Sequence, residues 1–169
     1  MELGATVCTP TGPACNRCPL RADCLAHEAG EQTGFPQLPP RPAREEQSTA
    51  AAVITSDGLV LLAQRVETGV WAGLWEFPQT EVLSEPDEAL ARHVHETLGL
   101  RVRVDPVLMR LTHGIMHRHI TLSAYGCEII DGELSVRGYR DARWVDVGRT
   151  EEMALSSPHR RIARRLAEG

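Results

Sequence analysis

Four of the five cysteines fall between Cys8 and Cys24, in the spacing Cys8-x6-Cys15-x2-Cys18-x5-Cys24, and no other feature restricts the chain as tightly. Clustered thiols of this kind read as a metal site and not as a disulfide framework. Thiolates are soft ligands, and four of them complete either a tetrahedral zinc or a cubane iron–sulfur cluster. A zinc ribbon presents two close pairs far apart in sequence, whereas this loop has one close pair flanked by two singletons. The spacing therefore favours iron–sulfur, with zinc as the alternative. Arg17 and Arg21 lie between the ligands, where forked donors are suited to phosphate oxygens. Cys127 stands alone in a strand-like segment.

Residues 1–28 thus form a cysteine module, and residues 29–48 read as a linker because Pro36, Pro39, Pro40 and Pro42 crowd it. Core-like composition begins near residue 49. The apolar runs Ala50–Thr55 and Leu59–Ala63 are separated by Ser56-Asp57-Gly58, the chemistry of a hairpin turn. Residues Ser84–Leu98 read as a helix with Ser84 as its cap, Pro86 in the first turn, Leu90, Val94 and Leu98 on one face, and Gly99 as its stop. Val102 and Val104, then Ile120, Leu122 and Ala124, alternate as strands do. A last helix is expected from Pro158 to Ala167, with Ile162 and Leu166 inward. Interleaved strands and helices predict an α/β fold with a helix on each side of a sheet.

A chain of 169 residues has room for one full core and an appendage. No apolar run reaches the length of a membrane span, and Met1-Glu2-Leu3-Gly4 does not begin a signal peptide, so no membrane partner and a cytoplasmic location are expected. The formal charge of -5 argues against a uniformly basic nucleic-acid coat but leaves local positive patches open. All 18 basic residues are arginine, which a GC-rich genome explains as readily as phosphate binding does.

Two segments carry a family resemblance. Met1 to Cys8 and Cys18-Pro19-Leu20 look like the end of a helix-hairpin-helix glycosylase domain running into its [4Fe–4S] loop. Val70-Trp71-Ala72-Gly73-Leu74-Trp75-Glu76-Phe77-Pro78 resembles the entry to the Nudix motif in the C-terminal domains of MutY-type adenine DNA glycosylases. The resemblance implies a Nudix-like α/β/α sandwich over residues 49–169 behind an N-terminal iron–sulfur cysteine loop. For Trp75 and Phe77, core packing is the expected role.

A working Nudix hydrolase is similar to MutT in carrying an Arg-Glu-x-x-Glu-Glu cluster that holds divalent metal. Here Arg92, Glu96 and Gly99 keep the pattern, but His93 and Thr97 replace two acids and Gln79-Thr80 replaces a glycine pair. Pyrophosphohydrolase activity is not expected. Neighbours two apart on a helix diverge, so His93 and His95 are expected to be surface imidazoles and not a rebuilt metal site.

The segment His113-Gly114-Ile115-Met116-His117-Arg118-His119-Ile120 resembles the family's lesion-reading hairpin, His-x-Phe-Ser-His-x-His-Leu. By position, Ile115 stands where a wedge enters the base stack and His117 where a polar reader lies, with His113, Arg118 and His119 beside them. Met116 departs from the usual Ser or Thr, and a thioether cannot reproduce that hydroxyl's hydrogen bond. The resemblance implies base-excision repair on duplex DNA containing 8-oxoguanine opposite adenine. It also implies a separate or missing glycosylase domain upstream, so no catalytic residue is assigned to this chain and its standing as an enzyme is left open. The alternatives are a divergent Nudix hydrolase of oxidised nucleotides and a zinc-stabilised interaction module.

Overall fold

The computed structural model describes residues 2–37 and 43–168, and the chain divides into two compact units, Met1–Pro42 and Ala43–Gly169. Pro39, Pro40 and Pro42 of the expected linker lie outside the described residues. The first unit contains two short helices, α1 (Glu2–Thr6) and α2 (Leu25–Glu28), with single 3₁₀ turns at Cys15–Arg17, Arg21–Asp23 and Gln32–Gly34. None of these elements buries a residue. Pro10, Pro13 and Pro19 lack the N–H that regular helices need, so the unit is tied instead by turn bonds such as Cys8 N to Leu3 O at 2.8 Å and Ala14 N to Val7 O at 2.8 Å.

The second unit holds the core. Strand β1 (Glu45–Ser56) runs parallel to β6 (Arg118–Asp131) on one edge, and on its other edge meets β4 (Gln79–Glu81) and β2 (Leu59–Gln64) antiparallel. Strand β5 (Arg101–Ile115) pairs with β6, while β3 (Trp75–Glu76) and β7 (Asp141–Asp146) flank β2. β1 thus belongs to both halves of the sheet. Its turn into β2 has Asp57 at φ 50 and Gly58 at φ 78. Positive φ at both central residues gives the twist that a two-residue hairpin needs, which is why Asp-Gly stands there.

Helix α3 (Pro86–Leu98) covers one face, packing Leu90, Val94 and Leu98 against Ala50, Ala52, Ile54 and Leu61. Helix α4 (Ser157–Ala167) covers the other with Ile162 and Ala163 against Ala51, Val53, Leu62, Phe77 and Leu122. Alternation along β1 sends successive residues to opposite faces, so one strand feeds both cores. This is the α/β/α sandwich expected from the sequence. Among the described residues, no helix is long and apolar enough to cross a membrane.

Two boundaries differ from expectation. β1 begins at Glu45, inside the expected linker, because Glu45 and Glu46 pair in register with Arg118 and His119 of β6. The cap of α3 is Glu85 at φ 44, with no side-chain cap bond, and not Ser84, since Pro86 takes the first helical position. Gly99 ends α3 as expected at φ 74. A Cβ there would stand 2.7 Å from Glu133 O, so both backbone and space require glycine.

Candidate functional site

The hairpin between β5 and β6 carries the candidate lesion residues, though with different placement. His113 and Ile115 are the last residues of β5 and Arg118 and His119 open β6, leaving Met116 and His117 as the turn. Met116 sits at the tip, 90% exposed, with φ 56. Beneath it lies a cavity of about 210 Å³ lined by Arg65, Val70, Trp71, Gln79, His113, Ile115 and Arg118, among others. The Trp71 indole stacks on the His113 ring with centroids 5.6 Å apart. Trp71 holds this position at φ 58, a left-handed conformation costing a bulky residue roughly 1–3 kcal/mol. Both ring nitrogens of His113 are buried without a partner among the described residues. Burial pushes its pKa below the usual imidazole range, helped by the charges of His119 and Arg161.

The hairpin's basic side chains are already engaged. Glu45 Oε2 lies 3.3 Å from His117 Nε2 and 3.4 Å from Arg118 Nε, and Glu46 Oε2 lies 2.7 Å from His119 Nδ1. Both carboxylates lie in the stretch expected to be linker. The signal that finds them is the alternation of Glu46, Ser48 and Ala50, which extends the strand pattern backwards from the core.

Behind the cavity is a buried polar network. Glu76, between Trp75 and Phe77, is buried together with His159. Arg65 Nη1 donates to its two oxygens at 3.1 and 2.9 Å, and Gln79 Nε2 donates at 2.7 Å. Burial raises the Glu76 pKa, with Arg65 opposing it. His159 Nδ1 accepts from Phe77 N at 3.2 Å, which places the neutral ring's proton on Nε2, 3.9 Å from Glu76. Burial drives the His159 pKa down to about 3, with His113 and Arg65 adding to the shift. Sequence reasoning passed over this trio; its signal is a lone acid inside the apolar run Leu74 to Pro78.

The degenerate metal box lies on α3 and keeps one of its acids, Glu96. Arg92 and Glu96 are exposed on α3, and His95 is exposed as expected. His93 is not the surface imidazole expected: it is half-buried and its Nε2 meets Tyr139 Oη at 3.2 Å, because the segment after β6 folds back over the helix. Ser135 N and Arg137 N donate at 2.8 Å to Leu98 O and Thr97 O, the carbonyls that the helix end leaves free. A Cβ on Gly138 would stand 2.6 Å from Thr97 Cγ2. Thr97 turns its hydroxyl to His93 O at 2.7 Å. Tyr139, Gly138 and the backbone of residues 135–137 thus pack against His93 and Thr97, the two positions where acids are replaced. Among the described residues, no three His, Cys, Asp or Glu are grouped to hold a metal ion.

In the first unit, Cys8, Cys15, Cys18 and Cys24 all line one cavity of about 60 Å³, walled also by Val7, Pro13, Phe35 and His27. Four soft donors around one apolar space fit a thiolate-bound centre. Arg21 Nε donates to His27 Nε2 at 2.9 Å, and Arg17 is exposed.

Residues 49–165 match the family described as NUDIX domain. The chain is 30% identical to the adenine DNA glycosylase of Homo sapiens over 97% of its own length and 39% of that protein's. It thus spans about two fifths of the Rattus norvegicus and Homo sapiens adenine DNA glycosylases. It is also 36% identical to the CTP pyrophosphohydrolase of Escherichia coli, over 64% of this chain and 78% of that enzyme. Among solved structures it is similar to the C-terminal domain of mouse MUTYH, determined in complex with human PCNA, at a TM-score of 0.55 and 27% identity. That match covers 73% of this chain and 89% of the other.

Proposed function

We propose, since the chain belongs to the Nudix domain family yet does not group the carboxylates that family's hydrolases use, that it is the lesion-recognition part of an adenine DNA glycosylase. It binds duplex DNA containing 8-oxoguanine opposite adenine. The observation that carries this reading is the hairpin tip Ile115-Met116-His117-Arg118 raised beside the Trp71–His113 cavity, while the end of α3 is closed by residues 135–140. Likeness to adenine DNA glycosylases over 97% of the chain supports it. Ile115 acts as the apolar wedge, His117 offers its ring to the base edge, His113 lines the cavity under Trp71, and Arg118 positions the backbone. In the first unit, Cys8, Cys15, Cys18 and Cys24 would hold a [4Fe–4S] cluster. Bound there, it supplies a cross-link that orders a loop with no buried residues of its own, presenting Arg17 to phosphate.

The test is a titration of the chain with 8-oxoguanine:adenine and guanine:cytosine duplexes at one moderate salt concentration. Selective binding is expected, and equal affinities reject lesion recognition. Arg118→Ala is expected to weaken both duplexes equally and lower the salt slope by about one. Glu45→Gln frees His117 and Arg118 and is expected to strengthen both by a few-fold, because exposed ion pairs are worth roughly 0.2–1 kcal/mol.

The likeness to a nucleotide pyrophosphohydrolase makes hydrolysis the second reading. The covered end of α3 predicts that magnesium or manganese with 8-oxo-dGTP or CTP releases no pyrophosphate above the protein-free control. Turnover comparable to a Nudix enzyme would place the chain among the hydrolases instead.

A further inference from the structure

We propose that His27 donates a hydrogen bond from Nδ1–H to a sulfur of the cluster held by the four cysteines, and thereby sets how readily that cluster is reduced. The inference rests on the iron–sulfur reading of the loop. In the first unit, two buried side-chain atoms lack a hydrogen-bond partner among the described residues, His27 Nδ1 and Gln32 Oε1. Both belong to residues lining the cysteine cavity. Orphaned buried polar atoms are uncommon, and two at one cavity call for a ligand.

The tautomer follows from the neighbour. Arg21 Nε, a donor only, gives its proton to His27 Nε2 at 2.9 Å. The neutral ring therefore carries its own proton on Nδ1, the atom shut away from solvent. His27 lines the cavity together with all four thiols, so a sulfur of the bound cluster is the acceptor assigned to that N–H. Gln32 has the same option, since turning its amide end for end exchanges the orphaned oxygen for a donor.

Hydrogen bonds to cluster and thiolate sulfurs stabilise the more negative, reduced state and raise the reduction potential. His27 is thus a positioning and tuning residue, with the four thiolates as the ligands. Arg21, between Cys18 and Cys24, acts through it by fixing the ring.

The experiment uses the full chain, reconstituted anaerobically with ferrous iron and sulfide, and film voltammetry of the cluster alongside its iron and sulfide content. His27→Phe is expected to keep the cluster and move its potential to more negative values. His27→Asn, whose Nδ2 stands close to the position of Nδ1, is expected to restore most of the difference. If His27→Phe retains no iron, Arg21→Leu is measured instead, and a smaller shift in the same direction is expected as the ring loses its fixed tautomer. An unmoved potential in the loaded variant overturns the hydrogen bond, and so does His27→Asn behaving as His27→Phe. A wild-type chain that takes up zinc or no metal overturns the cluster reading itself, a result separate from either of these.

Discussion

Acidification from pH 7 to pH 4 is expected to remove about 3 kcal/mol of stability from residues 43–169 through His159 alone. Burial lowers the folded-state pKa of this imidazole to about 3, against an ordinary value of 6.5. Between those values the unfolded chain binds a proton that the folded one refuses. The stabilisation is complete above pH 6.5 and drains away as pH falls towards 3. His93 and His113, also lowered by burial, act in the same direction. Glu76 acts in the opposite one: its raised pKa means that the folded protein takes up this proton first, relieving a buried carboxylate but loosening its hold on Arg65. His159→Gln keeps an acceptor for Phe77 N and cannot be protonated. Urea unfolding followed by the fluorescence of Trp71, Trp75 and Trp144 is expected to show a shallow pH dependence in that variant. An unchanged slope between pH 7 and pH 4 would mean that another group controls acid unfolding.

The same trio shows where sequence reading stops. Local rules located the two main helices because Leu90, Val94 and Leu98 repeat at one spacing and Ile162 with Leu166 at the same one. The Asp57-Gly58 turn was equally legible, its chemistry being contained in two residues. Arg65, Glu76 and His159 are different: they meet only because β2, β3 and α4 are brought together by the finished fold. No window of sequence holds all three.

The candidate site divides along the same line. Residues His113 to His119 were visible as a segment, but their engagement by Glu45 and Glu46 depends on the parallel register of β1 with β6, a contact across more than seventy positions. The loss of acids at His93 and Thr97 was readable, whereas the closure of that place by Tyr139 and Gly138 was not. The cysteine spacing announced a shared site, and the four thiols do line one cavity. The orphaned His27 Nδ1 became visible only with the Arg21 contact in view.

Met116→Ser is expected to raise the preference for 8-oxoguanine:adenine over guanine:cytosine by roughly 5- to 150-fold, the range set by ~1–3 kcal/mol for one good contact to a base. Met116 is 90% exposed and contributes almost nothing to packing, so its replacement leaves the fold within about 0.5 kcal/mol. Its thioether is a weak acceptor with no proton to give, while the family that this hairpin resembles places a hydroxyl there. The backbone at φ 56 disfavours a β-branched residue, which makes serine and not threonine the informative change. Met116→Ala removes the thioether without adding a hydroxyl and is expected to leave the preference near that of the natural chain. The three proteins are compared at one salt concentration, because Arg118 and the remaining cations contribute a term common to both duplexes. Serine and alanine variants that discriminate equally would remove position 116 from lesion reading, shifting the task to the His113–Trp71 cavity and the ring of His117. Double substitution of those two histidines would then be expected to abolish the preference while leaving non-specific binding through Arg118 in place.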